Sequence, residues 1–184
     1  EGSELWEHTY HCANGEVHTL QNMAQALDNS CNLWFIQAAQ TLQPTVFYDY
    51  IRAFGFTQPT GVDLPSETRW TSVYNAQQMA EVDTNLYTAA FGQNEAITPM
   101  QMATAIAAIA NGGYLVTPYI VDSITDDAGN IISQTDTSVR RQVISEEVSQ
   151  EILSMMENNV DPNGTLSIRH SCKNAYVAGY RIGG

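Results

Sequence analysis

The stretch from Met100 to Ala110 is apolar around almost its whole circumference when drawn as a helix, and it limits the folds open to this chain. Thr98 and Pro99 precede it, and this pair is typical of an N-cap followed by the first turn of a helix. The sequence Asn-Gly-Gly at 111–113 ends it. A helix that is hydrophobic on every side is normally buried, so the sequence predicts a central helix surrounded by other elements.

Helical periodicity also dominates the chain before this run. Apolar residues recur at helical spacing between residues 20 and 27, with Thr19 as the expected N-cap. A second, mostly buried helix is expected over residues 33–42. A third begins at Pro44 and ends at Gly55, since proline favours the first turn of a helix and glycine its end. Loops and short helical pieces are expected from there to the central helix.

Strand-forming residues follow the central helix. Residues 114–116 and 119–124 are aromatic and β-branched, and a turn at 126–130 precedes Ile-Ile at 131–132, which predicts a hairpin. Ser145 is expected to cap one further helix, with acidic residues in its first turn. The sequence therefore predicts an α+β, predominantly helical fold in one unit: a helical lobe (19–113), a hairpin region (114–143), a helix (145–159) and an extended C-terminal segment (175–184).

The charge balance excludes several classes of partner. The 184 residues contain 7 Lys and Arg against 20 Asp and Glu, so the formal net charge is −13. Nucleic acids and anionic membrane surfaces both attract basic faces, so neither is an expected partner. No apolar run approaches the roughly 20 residues of a membrane span, and no signal-peptide pattern opens the chain.

The three cysteines are Cys12, Cys31 and Cys172, and an odd number cannot all pair within one chain. The count leaves a bridge between Cys12 and Cys31 open, but neither number nor spacing requires it. Buried, small apolar side chains are the favoured interpretation.

A zinc site is a second interpretation of this region, because histidine and cysteine are the usual zinc ligands. The residues that suggest it lie close together in sequence: His8, His11, Cys12 and His18. Their spacing matches no common zinc motif, so the sequence predicts neither a metal nor a cofactor.

Ser30 and Asn32 lie two residues apart at an expected junction between helices. A hydroxyl and an amide at this spacing can face the same way across a turn, and each group both donates and accepts hydrogen bonds. Such a pair can pass a proton or hold a substrate amide. The alternative is structural, with Ser30 as the N-cap of the helix that starts at Leu33.

The stretch from residue 20 to residue 39, which contains Ser30-Cys31-Asn32, resembles the transpeptidase domain of class B penicillin-binding proteins. Further stretches resemble the same domain in the same order: AFGF at 53–56, PTGVDLPSE at 59–67, AFGQ at 90–93, ITPMQMATA at 97–105, IANGG at 109–113, VISEE at 143–147 and VAGYRIGG at 177–184. The resemblance spans roughly residues 11–184, and the shared order is more specific than any single motif.

The family uses the motifs Ser-x-x-Lys, Ser-x-Asn and Lys-Thr-Gly. The resemblance implies that Ser30 and Asn32 form the second motif, which shuttles protons and binds substrate. It also implies that Asn32 contacts the substrate and that Phe91 and Gln93 lie close enough to do so. For Phe91 and Gln93, ordinary core and turn positions are the alternative. The ligands of the intact domain would be peptidoglycan stem peptides and β-lactams, with no cofactor.

The single lysine of the chain, Lys173, belongs to neither remaining motif, because His170 lies three residues before it and Asn174 follows it. The resemblance therefore implies a middle piece of the domain, from after the nucleophilic serine to just before Lys-Thr-Gly, which is inactive alone. The expected fold is a partial penicillin-binding protein or serine β-lactamase-like fold that lacks most of the central sheet. Its exposed apolar faces would be covered by the missing segments or by self-association.

The resemblance further implies a parent protein that acts in cell division or sporulation. It would be anchored by an N-terminal helix at the extracytoplasmic face of the bacterial cell membrane. Two alternatives of the same fold stay open, namely a non-catalytic β-lactam sensor domain and a degenerate scaffold module.

Overall fold

The computed structural model describes residues 10–12, 15–68, 71–160 and 173–184. Within them the order of elements is α1 (Met23–Asp28), α2 (Asn32–Gln40), α3 (Pro44–Ala53), α4 (Ala76–Glu81), α5 (Asp83–Ala90), α6 (Pro99–Ala110), β1 (Tyr114–Val116), β2 (Ser123–Thr125), β3 (Ile131–Gln134), β4 (Val139–Gln142) and α7 (Glu146–Val160), followed by a 3-10 helix at Lys173–Ala175. This architecture confirms the predicted α+β, predominantly helical class.

Side-chain caps determine where several helices begin. At α6 the Thr98 hydroxyl accepts from the Gln101 N–H (3.1 Å) and the Gln101 Oε1 accepts from the Thr98 N–H (2.8 Å), which forms a capping box. The prediction of Thr19 as the N-cap of α1 was wrong. Asn22 caps that helix through the same reciprocal bonds with Gln25, because its carboxamide satisfies an N–H that would otherwise lack a partner.

The prediction that α6 is buried on every side was also wrong. Its buried side, which includes Ala105 and Ala108, faces β1 and α7. Met102 and Ile106 on the other side are 45% and 42% exposed. An apolar sequence specifies which surfaces can be buried, but burial also needs an element to pack there. The exposed side agrees with a fold that lacks part of its sheet.

The strands form two separate antiparallel pairs. β2 and β3 are the predicted hairpin, whereas β1 pairs with β4, which the sequence did not predict as a strand. The sequence of β4 is Val-Arg-Arg-Gln, without apolar alternation. Arg141 instead donates from Nε to the Ala53 carbonyl at the end of α3, at 2.7 Å. A hydrogen bond to a distant segment therefore helps to hold β4 in place, although its sequence lacks the apolar alternation that usually predicts a strand.

The C-terminal segment, which the sequence predicted to be extended, contains a helical turn and a further turn. Residues 173–175 form a 3-10 helix, and the Tyr180 N–H donates to the Val177 carbonyl across a turn, at 3.2 Å. None of the strands in the described residues pairs with this segment. Its backbone therefore lacks the ladder of strand-to-strand hydrogen bonds that would hold it extended, although the Gly184 N–H donates to the Met156 carbonyl at 3.2 Å.

The main core lies between α2, α3, α4 and α5, and it is formed by Ala39, Ile51, Met79, Leu86 and Ala89. A second, smaller cluster contains Cys12, Ala26 and Cys31, with Trp34 packed against it. We call this second group the cysteine cluster. It fastens the segment before α1 to the junction between α1 and α2, which is where Ser30 and Asn32 lie.

Gln101 connects α6 to the loop after α3. Its side chain is 2% exposed, and its Nε2 donates to the carbonyl of Gln58 at 2.8 Å and lies 3.3 Å from that of Phe56. We expect Gln101→Ala to lower the free energy of unfolding by about 2–4 kcal/mol, because it leaves a cavity and buried carbonyls without a donor. Urea denaturation measures this loss.

The matched control is Gln77→Ala. The Gln77 amide is exposed and bonds Glu81 one turn further along α4. This substitution should change stability by no more than about 0.5 kcal/mol. Equal losses for the two variants would contradict a special role for the buried amide.

Candidate functional site

Ser30 ends α1 in the left-handed backbone region, with φ at 49°. Its N–H donates to the Leu27 carbonyl at 3.1 Å, and the next N–H, of Cys31, donates to the Ala26 carbonyl at 2.9 Å. This is the hydrogen-bond pattern of a Schellman motif, in which glycine is favoured at the left-handed position. A serine there costs on the order of 1 kcal/mol. The alternative of Ser30 as an N-cap is wrong, because Cys31 precedes the first residue of α2.

The side chains of Ser30 and Asn32 differ in their surroundings. Ser30 is exposed, and its hydroxyl makes no hydrogen bond within the described ranges. Asn32 is half-buried in the first turn of α2, and its Nδ2 donates to the His11 carbonyl at 3.0 Å. This bond fixes the orientation of the amide and leaves its Oδ1 as an acceptor. The pair thus combines an unbonded hydroxyl with an immobilised amide.

Phe91 is connected to Asn32 through the segment that contains Tyr10 and His11. It lies at the C-terminal end of α5, and this helix packs against α2. The rings of Phe91 and Tyr10 meet edge to face with their centroids 6.3 Å apart, and the neighbouring His11 carbonyl accepts from Asn32. Phe91 and Asn32 therefore both contact one short segment, at neighbouring residues.

Gln93 is not connected to the pair in this way. Its side chain is exposed, and its backbone N–H donates to the Thr88 carbonyl at 2.8 Å. In the part of the chain that the structure describes, its amide makes no hydrogen bond with Ser30 or Asn32. The assignment of Gln93 as a substrate contact stays a prediction.

The cysteine cluster lies directly beside Ser30 and Asn32. Cys12 and Cys31 are each 4% exposed, and their sulfur atoms are 3.5 Å apart as free thiols. This confirms the prediction that these two cysteines are buried, whereas Cys172 lies outside the described residues. A ring nitrogen of His18 joins them, and the three potential ligand atoms all lie within 4.8 Å of one another.

The two thiols differ in acidity. Burial raises the pKa of the Cys12 thiol, and the adjacent Cys31 adds to this rise. Burial also tends to raise the pKa of Cys31, but His18 and the Trp34 N–H outweigh it, so the pKa of this thiol lies below its usual value. Cys31 is therefore the more readily ionised of the two.

The four-residue zinc set that the sequence suggested is not the set that the fold assembles. His11 is exposed, and His8 lies outside the described residues. Cys31 takes part instead, although it follows Cys12 by 19 positions. No local spacing could have identified Cys31, because it is the turn after α1 that brings it back to Cys12.

Comparisons with known proteins identify one family. The family described as the penicillin binding protein transpeptidase domain matches residues 3–184. Stage V sporulation protein D of Bacillus subtilis (strain 168) is 36% identical over 171 residues, which are 91% of this chain and 24% of that protein. The peptidoglycan D,D-transpeptidase FtsI homolog of Mesostigma viride is 30% identical over 176 residues, or 89% of this chain and 28% of that protein. The chain thus spans about a quarter of the length of these relatives.

A solved structure extends the likeness to the fold. Penicillin binding protein 3 from Mycobacterium tuberculosis, in complex with ampicillin, superposes with a TM-score of 0.70 at 27% identity. The match covers 79% of this chain and 32% of that one. It agrees with the partial transpeptidase fold that the sequence predicted.

Proposed function

Because this chain belongs to the penicillin-binding protein transpeptidase family, we propose that it is part of a D,D-transpeptidase domain that cross-links peptidoglycan stem peptides. The reaction would pass through a serine acyl-enzyme. The nucleophile would come from the Ser-x-x-Lys motif of the intact domain, since the single lysine of this chain, Lys173, is not in such a motif. This chain would supply the Ser-x-Asn motif.

Ser30 would relay protons in this reaction. Its hydroxyl can accept a proton from one group and donate its own to another, which is the task of a group between the catalytic base and the leaving amine. The observation that carries the proposal is its left-handed backbone at φ 49° together with a hydroxyl that bonds no described residue. Glycine would avoid this strain, so the serine is best explained by what its side chain does.

Asn32 would hold the substrate. Its Nδ2 is already bonded to the His11 carbonyl, so the amide is oriented before any ligand arrives. A preoriented acceptor such as its Oδ1 can bind an N–H of the acyl group at little further entropic cost. Phe91, whose ring contacts Tyr10 in the same segment, would pack against the substrate, and Gln93 would be a further polar contact.

We extend the proposal to ligands and location. β-Lactams would acylate the same nucleophile as the stem peptide, which the ampicillin complex of the structural relative supports. Peptidoglycan is assembled outside the cytoplasmic membrane, so the domain would work at the extracytoplasmic face of a membrane-anchored parent protein. None of the helices in the described ranges combines the length and hydropathy needed to cross a bilayer.

The uncovered apolar side of α6, which includes Met102 and Ile106, supports the proposal of a partial domain. In the intact domain, further strands would cover this surface. The chain alone would either leave this surface exposed or cover it by self-association. Solution scattering distinguishes a monomer from a self-associated form.

Labelling with a fluorescent penicillin tests the proposed function. The intact domain, produced with the flanking residues encoded by the same gene, is expected to carry the label after denaturing electrophoresis. This chain alone is expected to stay unlabelled, because it lacks an activated nucleophile. Stable labelling of this chain alone, or an unlabelled but folded intact domain, would refute the proposal.

Two controls separate the remaining alternatives. Excess unlabelled ampicillin should abolish specific labelling. Release of D-alanine from a stem peptide that ends in D-Ala-D-Ala distinguishes an enzyme from a β-lactam sensor, which is labelled but does not turn over this peptide. A degenerate scaffold module shows neither reaction.

A further inference from the structure

We propose that Cys12, His18 and Cys31 form a zinc-binding site beside the Ser-x-Asn motif. Two thiolates and one imidazole are a donor set that zinc prefers, and three protein ligands leave the fourth tetrahedral position for water. The inference is independent of the proposed acyl transfer, because metal binding is measured without any reaction.

The distances among Cys12, His18 and Cys31 fit one shared metal ion. The sulfur atoms of Cys12 and Cys31 are 3.5 Å apart. At the usual zinc–sulfur distance of about 2.3 Å, this separation subtends roughly 100° at the metal, which is close to a tetrahedral angle. Every pair of ligand atoms lies within 4.8 Å, so the His18 nitrogen needs to approach by no more than about 1 Å.

The surroundings of His18 also favour a metal ligand. Its Nδ1 is buried and has no hydrogen-bond partner in the described residues, which is unfavourable for a polar atom. Its other nitrogen, Nε2, lies 3.5 Å from the carboxylate of Glu16. Histidines that bind zinc through one nitrogen commonly have a carboxylate at the other, which sets the tautomer and the ring orientation.

Zinc binding at this site releases protons but changes the oxidation state of neither the metal nor the cysteines. Zinc binds two thiolates, so each thiol that is still protonated releases its proton to solvent on binding. Cys12 would ionise on contact with the metal, as ligand thiols do.

The position of the site connects it to the functional pair. Cys31 lies between Ser30 and Asn32, and Cys12 follows His11, whose carbonyl already accepts from the Asn32 amide. A bound zinc ion would therefore join the two segments that orient Asn32. This would hold the pair in place more firmly than the apolar contacts of two neutral thiols.

A metal titration of this chain tests the inference. The chain is first reduced with a phosphine and freed of metal in oxygen-free buffer, and zinc is then added in competition with a chromophoric chelator. We expect one zinc ion per chain, and Cys31→Ser and His18→Ala should each weaken binding at least about 100-fold. His11→Ala is the matched control and should leave the affinity unchanged, because its exposed side chain is outside the cluster.

A second measurement needs no substitution and therefore no assumption that the variants fold. X-ray absorption of the zinc-loaded chain should show two sulfur ligands at about 2.3 Å and light-atom ligands at about 2.0–2.1 Å. Zinc bound without sulfur, or no binding above that of a Cys12→Ser, Cys31→Ser double variant, would overturn the proposal. So would a cysteine pair that forms a disulfide and stays oxidised under these reducing conditions.

Discussion

Replacing Gly113 with alanine is expected to lower the free energy of unfolding by more than about 3 kcal/mol, which combines a steric clash with backbone strain. Gly113 has a φ of +90°. A Cβ added there would overlap the carbonyl oxygen of Ile144 and lie 2.9 Å from the Cγ1 atom of Ile144. Relief would require the end of α6 to separate from the chain that enters α7. That movement would break the bond from the Val143 N–H to the Gly113 carbonyl, which is 2.7 Å long.

Gly129→Ala is the control for this prediction. Gly129 has a similar φ of +86°, but an added Cβ would have no neighbour within 4 Å. Its expected loss is on the order of 1 kcal/mol, from backbone strain alone. Thermal or urea unfolding of both variants measures the difference, and equal losses would show that the contact with Ile144 is easily relieved.

Substitution of Ser30 should separate function from stability. In the intact domain we expect both Ser30→Ala and Ser30→Gly to slow acylation by a β-lactam about 100-fold or more, because each removes the proton relay. Ser30→Gly should also raise the free energy of unfolding by about 1 kcal/mol, since glycine adopts a φ of 49° without strain. Ser30→Ala keeps that strain and should change stability little.

Ser66→Gly provides a matched control. Ser66 is also an exposed serine with a positive φ, 66°, in the loop between α3 and α4. The same chemical change there should give a similar gain in stability and leave the acylation rate unchanged. Stopped-flow acylation and urea unfolding together test the four proteins. A Ser30→Gly domain that is acylated at the normal rate would remove Ser30 from the proposed mechanism.

Local sequence signals predicted the helix termini that depend on neighbouring side chains. Thr98 and Ser145 cap α6 and α7 as expected, because a hydroxyl reaches an N–H three residues away whatever the rest of the fold does. The same chemistry explains the error at α1. Asn22 and Gln25 also form a capping box, but the helical spacing of apolar residues begins at Leu20, and this spacing favours Thr19 as the N-cap.

Structural features that depend on packing or pairing with distant segments were not predicted by local sequence patterns. Leu20 matches a helical pattern, yet it is fully exposed and lies before α1. β4 lacks apolar alternation and is held as a strand by its pairing with β1. Periodicity records which faces can be buried, whereas pairing and packing depend on elements that lie far away along the chain.

The motif order in the sequence predicted Ser30 and Asn32 as the candidate pair, and it predicted the family that the comparisons show. The sequence by itself also determined the caps and the turn glycines, since these follow from atoms within a few residues of each other. Only the tertiary structure decided that Ser30 is strained, that the His11 carbonyl holds Asn32, and that Cys12, His18 and Cys31 converge. These features arise where segments remote in sequence meet, so their geometry depends on the packing of α1 and α2 and not on residue spacing.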